Sequence, residues 1–427
     1  MTAQRSVLLI AFHFPPVKGS SGVQRTLRFA QHLPRFGWRP VVLTISPRAY
    51  EAVSAATGNE VPADLEVHRA FGLDAATGLS LFGRYPRAFA LPDRWASWRP
   101  WGVRKAMEIL RRSPIDAIWS TFPIATAHRI GLDVARRTGL PWVAEFRDPM
   151  WQGDYPPDPQ MNRVWLELER AIFARANAAV VTTPGAIATY RERFPTFDGS
   201  RLLLIENGYD EETFRRAREA MPARREPGAD AGQPLKLLHS GLIYPSERDP
   251  TQLFTALATL KRTGRLTPAH VEIILRASGN EAAYRRDLET HGIADLVHLE
   301  PAIDYLPALQ EMLSADGLLI LQAANCNAQV PAKLYEYLRA ERPILALTDA
   351  AGDTARTLDT AGAALIAPLD SAPAIEAALL RFVSEIRDGT WRRPTAATIA
   401  RYSRESQTGQ LAQLLNDIVA ARGVAHG

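Results

Sequence analysis

The chain has 427 residues, 46% of them hydrophobic and 22% charged, which excludes a disordered or fibrous protein and allows two or three domains with separate cores. A formal charge of +4 suits anionic partners but does not choose among phosphates, anionic lipid and nucleic acid. A single cysteine, Cys326, excludes an intrachain disulfide and a four-thiolate zinc site, and fits a reducing, cytoplasmic compartment.

The opening run SVLLIAFHF is too short to span a bilayer and lacks a small-residue cleavage site, so it reads as a first strand. A helix through TLRFAQHLPRFG and a strand VVLTI follow, then strands IDAIWST, LPWVAEF, NAAVVTT and RLLLIEN, each preceded by helical periodicity. These runs are apolar on both faces, as strands of a parallel sheet covered by helices must be. After NGYDEETF the segment RRAREAMPARREPGADAGQPLK has no apolar period and reads as a linker. The alternation restarts at LKLLHSG and continues through VEIILRA, LVHLEPA, GLLILQAA, PILALTD and AALIAP, and RESQTGQLAQLLNDIVAARG closes the pattern as a helix. The predicted fold class is α/β, with two Rossmann-like doubly wound parallel-sheet domains facing across a cleft. The expected divisions are a domain at 1–215, a linker at 216–234, a domain at 235–395, and a C-terminal helix at 396–427 packing back toward the first domain.

Four stretches carry candidate chemistry. In FPPVKGSSGVQR, Gly19 and Gly22 bracket two serines before a helix, and Arg25 lies one turn in. The turn either lets backbone N–H groups approach a phosphate or sugar, or is a plain connection. In EFRDPMW, Glu145, Arg147 and Asp148 sit at a strand's carboxyl end. They form an ion-pair knot, or Asp148 faces reacting groups. In LLHSGLIYPSERDP, a strand ends at Ser240 and Gly241, and Arg248 follows before a helix. Its bland alternative is a solvated pair with Glu247 or Asp249. In QVPAKLYEYLRAERPILAL, Lys333 opens a helix, where a cation opposes the helix dipole. Lys333 and Glu336 make either a surface salt bridge or, with Arg248, a site for a diphosphate and a diol.

These blocks, with IENGYDEETF and in this order, resemble the retaining glycosyltransferases of the GT-B fold, specifically glycosyltransferase family 4 (group 1). The resemblance covers nearly the whole chain and implies transfer of a sugar from a nucleoside diphosphate sugar to a hydroxyl of a glycan, lipid-linked or small acceptor. It places the ribose on Glu336 and the diphosphate on Arg248 and Lys333. It brings Gly19 to Gly22 against the donor phosphate and sugar. Ser240, Gly241 and Arg25 join the expected substrate-binding set, and Asp148 and Arg147 the catalytic one. The chain departs from the family twice. Ala328 stands where a sugar-contacting glutamate is usual, and Arg147-Asp148 stand where many relatives carry histidine. His128 is the histidine nearest in sequence, and reads as a helix residue.

No metal is expected, because the cations and helix amino termini can stabilise the leaving diphosphate and no D-x-D motif occurs. No cofactor and no nucleic acid are expected. A nucleotide-sugar 2-epimerase-like isomerase and a non-catalytic GT-B binding partner are the alternatives. The segment 82–105 alternates Phe82, Tyr85, Phe89, Trp95, Trp98 and Trp101 with Arg84, Arg87, Arg94, Arg99, Arg104 and Lys105. It is read either as a loop plugged into the first domain or as a peripheral contact with anionic membrane at the inner face.

Overall fold

The computed structural model describes residues 4–18, 21–54, 58–78, 85–222, 226–230 and 232–425. Among these residues the chain forms two all-parallel sheets and divides into two compact units, residues 1–207 with 404–427 and residues 208–403. Unit 1 holds β1 (Arg5–Ile10), β2 (Trp38–Ile45), β3 (Glu66–Ala70), β4 (Ala117–Thr121), β5 (Trp142–Phe146), β6 (Ala178–Val181) and β7 (Leu202–Leu204), in the spatial order β3-β2-β1-β4-β5-β6-β7. Unit 2 holds β8 (Leu235–Ser240), β9 (Val271–Arg276), β10 (Val297–Glu300), β11 (Gly317–Leu321), β12 (Ile344–Leu347) and β13 (Ala364–Ala367), in the order β10-β9-β8-β11-β12-β13. Each sheet reverses its strand order once, at β1/β4 and at β8/β11. In open α/β sheets ligands bind beyond the strand carboxyl ends at such a reversal.

The apolar strands are buried on both faces: Val7, Leu8, Leu9 and Ile10 of β1 and Leu318, Leu319, Ile320 and Leu321 of β11 are at most 1% exposed. The edge strand β3 was not anticipated, since EVHRA has no apolar run and four of its five residues are only half-buried. The helix Glu211–Glu219 belongs to unit 2, where Phe214 and Ala217 join Tyr209 and Leu309 in one core. The chain therefore passes between units at residues 207 and 208, ahead of the arginine-rich run expected as the linker. That run is itself tied to unit 2, with Gly228 N–H donating to Asp316 Oδ1 at 2.9 Å. The C-terminal segment is two helices. Ala396–Arg401 stays with unit 2, while Arg404–Ala425 returns to unit 1, its Leu411, Leu414 and Leu415 packing among Val7, Leu9 and Leu27.

Candidate functional site

In unit 1 the residues of interest gather at the carboxyl ends of β1 and β5. Gly22 lies in the first turn of the helix Ser21–His32, and a Cβ placed on it would stand 1.8 Å from Arg147 Nη1. The Arg147 guanidinium thus crosses directly over the helix start, and a side chain at 22 would have to displace its tip. The Arg147 carbonyl accepts from Thr182 Oγ1 at 2.6 Å, which pins the loop after β5 to the end of β6. Burial pushes the Asp148 carboxyl up, and the charge of Arg147 opposes that shift. His13, just beyond β1, was missed in the sequence reading. Burial, and then the charge of Arg147, lower its pKa to about 3, so the ring stays neutral at physiological pH. Its position at the end of the strand beside the reversal was the available signal.

Arg25 needs correction. Its side chain is 1% exposed and serves the fold: Nε and Nη2 donate to Glu145 Oε1 at 3.0 and 2.8 Å, Nη1 to the Glu206 carbonyl at 2.6 Å, and Nη2 also to the Ile205 carbonyl at 2.8 Å. Thr121 Oγ1 completes the pair by donating to Glu145 Oε2 at 2.9 Å. A guanidinium committed to these partners has no face for a phosphate. The acid of the anticipated ion-pair knot thus finds its partner in Arg25, 120 residues away. Gly19 lies outside the described residues. His128 is a core residue, fully buried, with Nδ1 2.8 Å from Ser120 Oγ.

In unit 2 the arrangement is built on β8 and β11. Helix Lys333–Ala340 begins with Lys333, whose Nζ lies 3.1 Å from His239 Nε2 near the end of β8. Gly241, with φ of +106°, brings the backbone beneath the amine: a Cβ there would be 3.3 Å from Nζ. Ser240 N–H donates to Tyr337 Oη at 2.9 Å, a second stitch between the strand end and the same helix. Arg248 ends the short helix Pro245–Arg248, donates to the Leu242 carbonyl at 2.7 Å, and stacks over Tyr244 with its carbon 5.1 Å from the ring centre. Among the described residues it pairs with neither Glu247 nor Asp249. Lys333 likewise makes no salt bridge with Glu336, whose Oε1 accepts instead from Tyr305 Oη at 2.6 Å. Burial first, and the charge of Arg248 second, lower the Lys333 pKa to about 7, against a smaller upward pull from Glu336. Two cations near one strand reversal, without an ion-paired carboxylate on Lys333, constitute an electrostatic arrangement that an anion would relieve.

Residues 21–208 match the family model of the glycosyl transferase 4-like domain. Solved structures similar over the whole chain include a sucrose-phosphate synthase from Thermosynechococcus elongatus, 15% identical, covering 98% of this chain and 100% of that one with a TM-score of 0.65. HepE of Anabaena in complex with UDP is 14% identical, with coverage of 97% and 100% and a TM-score of 0.64. WaaG, a glycosyltransferase involved in lipopolysaccharide biosynthesis, is 17% identical, with coverage of 96% and 99% and a TM-score of 0.62. The chain is a GT-B protein resembling the family 4 glycosyltransferases. A search of curated proteins finds no match.

In this GT-B protein the aromatic and basic stretch 82–105 is divided between core and surface; Phe82 and Arg84 lie outside the described residues. Trp98 is fully buried and Trp95 packs on Phe12, ring centres 4.5 Å apart. Arg87 pairs with Asp158, Arg94 with Asp74 and Glu51, Arg99 with Asp133 at 2.7 Å, and Lys105 with Glu108 at 2.7 Å. Most cations of the stretch are therefore matched by carboxylates. Among the described aromatic side chains of the stretch, the exposed ones are Phe89 and Trp101, the latter set edge-on to Phe71 at 5.6 Å with Arg104 over its ring at 5.9 Å. Among the described residues no helix is long and apolar enough to cross a membrane.

Proposed function

We propose that this GT-B protein transfers a sugar from a nucleoside diphosphate sugar to a hydroxyl of a glycan, lipid-linked or small acceptor. The observation that carries the reading is Lys333, an amine fixed by His239, made less basic by burial first and by Arg248 second, and followed one turn on by Glu336. A diphosphate supplies the missing negative charge, and the carboxylate of Glu336 accepts hydrogen bonds from a ribose diol. As the sugar departs, negative charge grows on the diphosphate, so both cations act most strongly in the transition state. The reaction is read as metal-independent on this account, and as retaining from the resemblance to the family alone. Asp148 and Arg147 are assigned to the reacting centre on the acceptor-side unit. The complexes of HepE with UDP and with UDP-glucose support a nucleotide-sugar donor.

The test is thermal unfolding with a panel of nucleoside diphosphates, since a ligand that binds the native state raises its melting temperature, followed by incubation with the matching nucleotide sugars. Release of free nucleoside diphosphate supports transfer. A new sugar epimer supports an isomerase, and binding without chemistry supports a non-catalytic partner.

Glu336→Ala is expected to weaken donor binding by about 1.5–3 kcal/mol, the worth of hydrogen bonds to a charged group, while the protein remains folded. Unchanged donor affinity by calorimetry would remove Glu336 from the ribose site.

A lipid-linked acceptor would call for membrane contact, and the exposed Phe71–Trp101 pair with Arg104 is the surface suited to it. The wild-type chain is then expected to sediment with anionic vesicles at low salt and to be released as salt screens the charge, and Trp101→Ser is expected to reduce sedimentation. Wild-type protein that stays in solution favours a soluble acceptor.

A further inference from the structure

We infer that His239 is a positioning residue, holding the Lys333 amine at the place where a diphosphate oxygen meets it. The inference rests on the sugar-transfer reading above. The imidazole is 1% exposed, with the Gly241 backbone also nearby, and its two ring nitrogens each meet a hydrogen-bond partner, the two of opposite demand. Its Nδ1 is 3.0 Å from the Leu319 carbonyl of β11, which can only accept, so Nδ1 carries the proton. Nε2 is then left with a lone pair, and Lys333 Nζ, 3.1 Å away, donates into it. The tautomer is set by β11 and its consequence is delivered to the helix that follows β11. Lysine ordinarily carries considerable rotamer entropy on its flexible four-carbon stem. Anchoring one N–H on His239 and resting the amine on Gly241 leaves the remaining donors aimed in fixed directions before any ligand arrives.

The charged and titratable groups near this amine are few. Arg248 comes from the loop after β8, Glu336 from the helix of Lys333 itself, and His239 from β8. Burial, and then the charge of Lys333, hold the imidazole well below its ordinary pKa, so it remains an acceptor and adds no third positive charge. An apolar side chain at 239 would keep the packing but leave the lysine free to rotate away. Glutamine would restore both functions, because its amide presents a donor and an acceptor side by side, as the imidazole edge does.

The experiment compares wild type, His239→Leu and His239→Gln by calorimetry with UDP, GDP, ADP and dTDP and with the matching nucleoside monophosphates. His239→Leu is expected to weaken the diphosphate that wild type prefers roughly ten- to hundredfold, the loss expected for one hydrogen bond to a charged group. The monophosphate should weaken less, and His239→Gln should return most of the affinity. Equal losses for both nucleotides, or no recovery with glutamine, would mean a purely structural histidine and overturn the role. Wild-type binding with unchanged affinity in His239→Leu overturns the role alone and leaves the donor reading standing. Wild-type protein that binds none of the four diphosphates overturns both. If His239→Leu does not fold, nitrogen-15 spectra of the wild-type histidines decide the matter. The proton of the neutral His239 ring must sit on Nδ1, and a ring that carries it on Nε2 overturns the inference.

Discussion

Lys333→Met is expected to cut turnover of a nucleoside diphosphate sugar by roughly 10²- to 10³-fold, as removal of one preorganised charge-stabilising donor does elsewhere, and at the same time to stabilise the free protein. The two effects have one origin. In the ligand-free protein the amine is buried beside Arg248, and its pKa falls to about 7 from an ordinary 10.5. The folded state thus binds fewer protons than the unfolded state between those two values, and stability rises with pH across that window. Below about pH 7 both states are protonated and the folded protein carries the whole penalty of a buried, repelled cation. The advantage of methionine over lysine should therefore be largest below pH 7, shrink as pH rises through the window, and vanish above it. Melting temperatures measured at pH 6, 8 and 10 would show this trend, as a flat difference across pH would not. A variant that keeps wild-type turnover would place the diphosphate elsewhere.

Arg25→Met is expected to destabilise unit 1 by about 3–5 kcal/mol, because it leaves the Glu145 carboxylate buried without its partner. The two side chains are each 1% exposed, so water cannot replace the lost donors. Arg25 also holds the carbonyls of Ile205 and Glu206, the last turn of chain before it enters unit 2. Eight of the nine tryptophans, all but Trp391, lie in unit 1, so tryptophan fluorescence during denaturant unfolding reports mainly on that unit. Glu145→Gln should be destabilising too, and the double variant should cost less than the two single changes added together, since the second change removes a charge already stranded. Additive losses would mean that the pair does not act as a unit.

The strands were legible in the sequence because helices cover both faces of each sheet, so VLLI, AIWS and GLLIL had to be continuous apolar runs. β3 was not, because an edge strand has to satisfy only one neighbour and tolerates Glu66, His68 and Arg69. The glycine at 22 was legible as a close approach, but not what approaches it, since Arg147 arrives from a strand far along the chain. Arg25 was misread for the same reason: one turn into a helix after a glycine-rich turn, it looks like a ligand residue until Glu145 is known to stand against it. Lys333 was conspicuous because it opposes its helix dipole, a local conflict visible without tertiary information. His239 left no such mark. Its meaning depends on a carbonyl of one strand and an amine of a later helix, and neither spacing appears in a motif. In the stretch 82–105 the cations are real but their counter-ions, Asp74, Asp133 and Asp158, come from distant segments.

The return of the helix Arg404–Ala425 to unit 1 has a consequence for biosynthesis. Residues 208–403 are translated between the two parts of unit 1, so at roughly 5–20 residues per second the ribosome spends on the order of 10–40 s on them. During that interval the groove that will receive Leu411, Leu414 and Leu415 stands open beside Val7 and Leu9. The nascent first unit is then a sticky, half-roofed body on the ribosome, a substrate for holding chaperones, while the intervening unit can fold as soon as it has left the exit tunnel. Ribosome-bound chains stalled before and after residue 404 should differ in protease resistance of the first unit far more than of the second.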